Sequence, residues 1–289
     1  MRNVFLPLLC VFFLHAVNVQ AGTIPWKWRL SLTGEESGQA LDNPTALMID
    51  EERERYYVVD SGNNRLLSYD RNGILINVLK AGGQLSLPYD LVRTSDGILW
   101  VVERQKNSLT SINLQDRSVT PMQLLDKEER IYPDRLDQQG DFFYIIDKID
   151  GRLLKLNREL EVIQIFTSLD DTGAFVDFKS TGNALWALDQ QGKRIIHFTL
   201  DGKVNSVFSV AEIDFPTSLA IGPAGLIYVL DRHQGNIAVF HPKGQFKYRF
   251  LERGQARGQL YYPIEIHFDP WGRLCVVEEG NGRVEVFER

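Results

Sequence analysis

The sequence is short of cysteine, of net positive charge, of long apolar runs and of helical patterning, and each shortage removes a class of protein. Two cysteines occur in 289 residues. Cys10 sits in an apolar N-terminal stretch. Cys275 is then left without an internal partner, which excludes a disulfide-stapled scaffold. Lysine and arginine number 32 against 38 aspartates and glutamates, a formal net charge of −6. Nucleic-acid binding rests on neutralising phosphates, so an acidic chain is poorly made for it. Beyond the N-terminal stretch no apolar run reaches the roughly 20 residues of a membrane-spanning helix. Apolar residues almost never recur at helical spacing. There is no Gly-x-Ser-x-Gly elbow and no phosphate-binding glycine loop.

What is present begins with a leader. Arg2 precedes an apolar run from Val4 to Val17, and Val19-Gln20-Ala21 places small residues where a signal peptidase reads. This pattern predicts a secretory signal over residues 1–21, and residues 22–289 are expected to form a single domain. Cys10, between two leucines and Val11, makes a poor lipoprotein site, so a free rather than lipid-anchored protein is expected. Secretion without disulfides points to a bacterial periplasmic or extracellular location. The sequon Asn43-Pro44-Thr45 is blocked by its proline, which agrees.

The chain then repeats itself. Stretches such as YYVVDSGNNR, LWVVERQKNS, FYIIDKIDGR and IYVLDRHQGN share one pattern: an aromatic residue, two apolar residues and an acid. The acids are Asp60, Glu103, Asp147, Asp189, Asp231 and Glu278, spaced 42 to 47 residues apart. Six copies at such a period, each holding several short strands between Gly, Asn and Asp turns, predict an all-β, six-bladed β-propeller of four-stranded antiparallel blades. The chain ends after the third strand of its sixth copy. KWRLSLTGEESGQALDNP near the N-terminus parallels KYRFLERGQARGQLYYP, the outer strand and linker ahead of that copy. The N-terminal strand is therefore expected to complete the last blade and close the ring, which removes an open sheet edge.

These residues resemble the NHL-repeat family of six-bladed propellers. Its pattern, a Gly-x-x-x-Gly linker and a proline before the inner strand and then Asp-x-x-Asn-x-Arg, matches best from Gly34 to Arg65 and from Gly254 to Arg283. Phe175 replaces the proline in blade 4, and Ser108 and Asn236 replace the arginine in blades 2 and 5.

The repeated acids read as structural. Each would cap its own turn, paired with Arg65, Arg152, Arg194 or Arg283 where these occur. Asp231-Arg232-His233 is thus one turn of a pattern and not a catalytic cluster. The row three places earlier, Tyr57, Trp100, Tyr144, Trp186, Tyr228 and Cys275, is expected to fill the space between blades, with Cys275 inert.

Function is expected where the copies differ, on the inner strands. Counting from the blade proline and applying strand alternation, Leu47, Leu91, Leu136, Phe178, Leu219 and Ile266 face the core. Asp90, Arg135, Asp177, Lys179, Glu265 and His267 face a common axis, with Tyr89 in a linker near its mouth. Zinc is not expected. The resemblance to amidating lyases would put histidines just after each proline, but Thr45, Tyr89, Asp134, Val176, Thr217 and Ile264 stand there. Lactonase-type propellers suggest Ca²⁺ on Asp90, Asp177 and Glu265, although Arg135 and Lys179 compete for those carboxylates.

The resulting expectation is a secreted binding scaffold. It would present one loop-bearing face, with Glu103–Asn107, Asp147–Arg152 and Arg232–Asn236, to a protein, a peptide or a cell-envelope ligand. The competing expectation is a metal-dependent lyase or lactonase-type hydrolase working at the channel mouth.

Overall fold

The computed structural model describes residues 26–289. The expected leader, with Cys10, lies outside them. Six four-stranded antiparallel sheets follow one another as blades. The inner strands are Pro44–Asp50, Pro88–Arg93, Pro133–Gln139, Phe175–Thr181, Pro216–Ile221 and Pro263–Phe268. A short additional hairpin, Leu124–Asp126 with Glu129–Ile131, fills the link between blades 2 and 3. Among the described residues no helix is long and apolar enough to cross a membrane.

The ring closes as the parallel between the two linkers predicts. Lys27–Leu32 is the outer strand of blade 6, antiparallel to Arg283–Glu288, with Lys27 opposite Glu288 and Leu32 opposite Val284. Trp28 Nε1 and Ser31 Oγ donate to Glu285 Oε2 at 2.7 and 2.6 Å. Trp26 is buried against Tyr228, Phe250 and Phe268. The matching linkers are clamped alike. Arg65 donates to the carbonyls of Gln39 and Ala40, and Arg283 to those of Ala256 and Gln259. Gly34 is required in its linker because a Cβ there would lie 2.3 Å from the Gln39 carbonyl oxygen.

The core lies between blades. Six apolar clusters each draw on two neighbouring blades, and each holds one of Leu47, Leu91, Leu136, Phe178, Leu219 and Ile266. Alternation therefore assigned the core-facing row correctly. A one-residue register shift just after the first residue of every inner strand supports it. Such a bulge re-aims the residues that follow it.

All six repeated acids are structural. Each is almost fully buried and accepts a backbone N–H from its own linker: Asp42, Ser86, Tyr132, Ala174, Asp214 and Tyr261 are the donors. Arg65, Arg152, Arg194 and Arg283 all pair with their acids. Asp231 also accepts the N–H groups of His233 and Gln234, while the His233 ring stacks on Phe215 at 4.4 Å.

The aromatic row departs from expectation in half its members. Tyr144, Tyr228 and Cys275 are sealed between blades, but Tyr57, Trp100 and Trp186 stay partly open. Burial pushes the Cys275 thiol far above its ordinary range, so it is an inert filler.

Candidate functional site: a blind cup on the ring axis

Inner strands begin on one face of the ring, here the entry face, and end on the other, the exit face. The second-to-third strand turns lie on the entry face. The hairpin turns that follow the inner strands lie on the exit face. The second residue after each blade proline (or Phe175) points to the axis, giving Ala46, Asp90, Arg135, Asp177, Ser218 and Glu265, and all six are buried.

Four of these six side chains join adjacent blades. Each accepts the backbone N–H of the core residue in the next blade. Glu265 Oε2 accepts from Leu47 (2.8 Å), Asp90 Oδ2 from Leu136 (3.0 Å), Asp177 Oδ2 from Leu219 (2.9 Å) and Ser218 Oγ from Ile266 (3.2 Å). A bulged strand frees an N–H that needs a partner, and a side-chain oxygen across the seam supplies one. Ala46 and Arg135 cannot act as acceptors, so two seams lack this tie. The axial carboxylates are seam fasteners before they are anything else.

Arg135 uses its place differently. It extends from blade 3 across the axis to the opposite blade 6. Its Nη1 donates to the Thr45 carbonyl at 3.1 Å, lies 3.3 Å from Glu265 Oε1, and is 3.9 Å from Asp90 Oδ2. Tyr89 packs beneath this guanidinium, with its ring centroid 4.8 Å from the Arg135 guanidinium carbon, and Arg104 stacks over the same ring. Arg104 is held by Asp134 at 2.7 Å. Arg135, Tyr89 and the Arg104–Asp134 pair together stop the channel at the entry face. Burial pushes the Tyr89 phenol above its ordinary value, so it stays neutral there.

Beyond Arg135 the channel widens into a cup of about 340 Å³ that opens on the exit face. Of the residues expected at the site, Asp90, Arg135, Asp177, Lys179, Glu265 and His267 all line it. Tyr89 does not, because it lies in the plug. Asp137, Ser180, Met48 and Glu51 also line the cup. Asp137 and Met48 stand four residues after their blade prolines, as His267 does, whereas Ser180 lies near the end of its inner strand and Glu51 just past the end of its own.

The charges are largely matched. Lys179 Nζ donates to Asp177 Oδ1 at 3.1 Å. Burial disfavours its ammonium, but Asp177 and Glu265 outweigh that and hold it above its ordinary value. His267 Nε2 lies 3.1 Å from Glu265 Oε1 without the alignment of a hydrogen bond. Burial would raise the Glu265 carboxyl, yet His267, Arg135 and Lys179 hold it well below the usual range. Asp90 goes the other way: burial and the neighbouring Glu265 push it up to about 8, against Arg135 and two backbone N–H groups.

This yields a pH dependence with a definite sign. A carboxyl whose folded pKa is raised binds more protons folded than unfolded, so stability falls as pH rises between the two values. Asp90 acts between the ordinary aspartate value of 3.8 and about 8. Glu278, pushed up by burial to about 7, acts in the same direction over the lower part of that window. Urea midpoints should therefore decline from pH 5 to pH 8, and Asp90→Asn should flatten the decline, keeping one acceptor for Leu136. An unchanged slope in Asp90→Asn would remove Asp90 as its source.

The donor set does not suit a metal. Among the described residues no three His, Cys, Asp or Glu side chains converge as an ion requires. Calcium takes six to eight oxygens. Here the oxygens of Asp90, Asp177 and Glu265 already accept backbone N–H groups or face Arg135, Lys179 and His267.

Solved structures share this architecture at low identity. A virginiamycin B lyase from Staphylococcus aureus, in complex with quinupristin, aligns over 85% of this chain and 80% of its own, at 14% identity and a TM-score of 0.63. A gluconolactonase from Xanthomonas campestris aligns over 85% and 86%, at 15% identity and 0.65. A β-propeller domain from Myceliophteria thermophila aligns over 92% and 100%, at 12% identity and 0.66. The chain is a β-propeller. No family model and no curated protein matches it. At these identities the likeness speaks for the fold and not for an activity.

Proposed function

We propose that this propeller is a secreted binding scaffold that takes part of a protein, a peptide or a cell-envelope ligand in its axial cup. The observation that carries this reading is the cup itself. It is blind at Arg135, open on one face, and lined by charged residues exactly where the repeats differ. Pockets of a few hundred Å³ with a few placed polar groups are the usual form of a recognition site. The cup opens away from residues 103–107, 147–152 and 232–236, so the exit face takes the place of the entry face in this proposal. The secreted location rests on the leader sequence.

The second reading, a lyase or lactonase-type hydrolase, is favoured by His267 beside Glu265 in the cup. It also draws on the likeness to a virginiamycin B lyase and a gluconolactonase. Elemental analysis of the purified protein separates the two. The scaffold predicts no stoichiometric Ca²⁺ or Zn²⁺ and a discrete partner captured from envelope extract, with capture lost on His267→Ala. Stoichiometric metal that disappears in Asp177→Ala or Glu265→Ala would overturn the scaffold in favour of the enzyme.

A further inference from the structure

The cup is not an isolated hollow. On the exit face its wall at Met48, Val92 and Asp137 is shared with a second hollow, which spreads over the inner ends of blades 1 to 3. That hollow shares Thr94, Ser95 and Gln138 with a third, which ends against Trp100 at the seam of blades 2 and 3. Each of the three measures about 340 Å³. Together they form one furrow from the ring axis to the blade seam.

The furrow ends beside a tight hairpin. Blade 3 turns from inner to second strand through only Gly140 and Asp141, between the paired Gln139 and Phe142, with Gly140 at φ 59°. Trp100 in blade 2 is half-buried at this seam, touched among aromatic rings of the described residues only by the edge of Phe143 at 5.2 Å. The equivalent Trp186 in blade 4, also partly open, has one face taken by the His197 ring, stacked at 4.0 Å, and its indole N–H donates to Thr181.

The furrow beyond the cup has a marked sign. The second and third hollows are lined by six carboxylates, on Asp50, Glu51, Glu52, Asp96, Asp137 and Asp141, and by two arginines. Both arginines are already paired, Arg93 with Asp50 and Arg158 with Asp141, and Arg53 beside the furrow reaches Asp50 and Glu52, so Glu51, Asp96 and Asp137 are the carboxylates without an ion pair among the described residues. An indole flanked by carboxylates, at the end of an acidic trough, is a receptor for a cation carried on something long and thin.

Resting on the binding reading of the cup, we infer that the furrow holds an extended basic peptide segment, with one Lys or Arg side chain lying on the Trp100 indole and the chain running past Glu51 and Glu52 toward the axis. A neutral saccharide could use the indole face, but it would leave the surplus negative charge uncompensated. The peptide uses both.

The test is fluorescence anisotropy with the full protein and three labelled probes: a peptide of alternating lysine and serine, its glutamate counterpart, and a neutral oligosaccharide. The basic peptide should bind, more weakly as salt rises, and the acidic one should not. Trp100→Ala should weaken binding about tenfold, the scale of a cation–π contact on a half-buried indole. Asp96→Lys and Glu52→Lys alter exposed positions that do not threaten folding, and they should weaken it comparably. If these variants bind the basic peptide normally while His267→Ala does not, the furrow is overturned and the cup reading stands. If the saccharide binds in its place and is lost with Trp100, the peptide class is overturned. If no probe binds, the inference fails, and partner capture by the cup remains a separate question.

Discussion

A protein lacking residues 26–33 should fail to reach a cooperatively folded state. Without Lys27–Leu32, blade 6 ends on the strand Arg283–Glu288, whose outer backbone groups lose their partners over the whole register. Trp26 and Leu32, both nearly inaccessible, leave two different seam clusters. Glu285, whose side chain is fully shielded, keeps Arg283 but loses Trp28 and Ser31. The ring then carries an open edge and two weakened seams at one place. The expected observations are loss of a sharp thermal transition and concentration-dependent aggregation, read by calorimetry and size-exclusion chromatography. Trp26→Ala is the milder form. It removes a large buried aromatic at a cost of about 3–5 kcal/mol and should lower the melting temperature by roughly ten degrees. A truncated chain that melts like the intact one would show that the ring is held elsewhere.

The second large effect lies on the axis. Arg135 and Glu265 are both buried and reach each other from opposite blades. Removing one partner strands the other charge. Arg135→Met or Glu265→Gln alone should therefore destabilise by about 3–5 kcal/mol, the range for breaking a buried pair. Arg135→Met combined with Glu265→Gln should recover most of the loss. The amide carbonyl can still accept the Leu47 N–H, and neither charge of the pair remains, while Lys179 keeps Asp177. By contrast, splitting the exposed Arg158–Asp141 pair should move stability by less than about 1 kcal/mol. Denaturant unfolding of the wild type and these variants measures all of this. Strict additivity of the two axial substitutions would mean that the pair does not interact as drawn.

Much of this was legible before any coordinates, for identifiable reasons. The repeated acid and the row of core residues after the blade proline recur because every seam poses the same packing problem, and a recurring problem leaves a recurring letter. Ring closure was legible because the linker at Gly34 to Pro44 copies the one at Gly254 to Pro263. The axial charges followed from alternation, since the bulge keeps the second and fourth residues on one side. The plug did not follow. Tyr89, Asp134 and Arg104 come from an inner strand, its neighbour and a turn, and their stacking exists only once three segments meet. Nor did the direction in which the cup opens, because strand alternation says which side a residue faces but not which end of a tube is stopped. The extra hairpin at Leu124–Ile131 was missed because three-residue strands carry too little period to read. Trp100 was assigned to filler because its row is filler in blades 3, 5 and 6. Its partial exposure is a property of one seam, which a row of like letters does not show.

The closing strand also sets a timetable. Trp28 and Glu285 are 257 positions apart, yet they hydrogen-bond in the same sheet. The first blades can stack as they are made, but the slot beside blade 1 has no wall until the strand Arg283–Glu288 has been made. Contacts of such separation are the slowest to form. Blade 6 therefore cannot be completed before Arg283–Glu288 exists, and the circle closes only when that strand meets Lys27–Leu32.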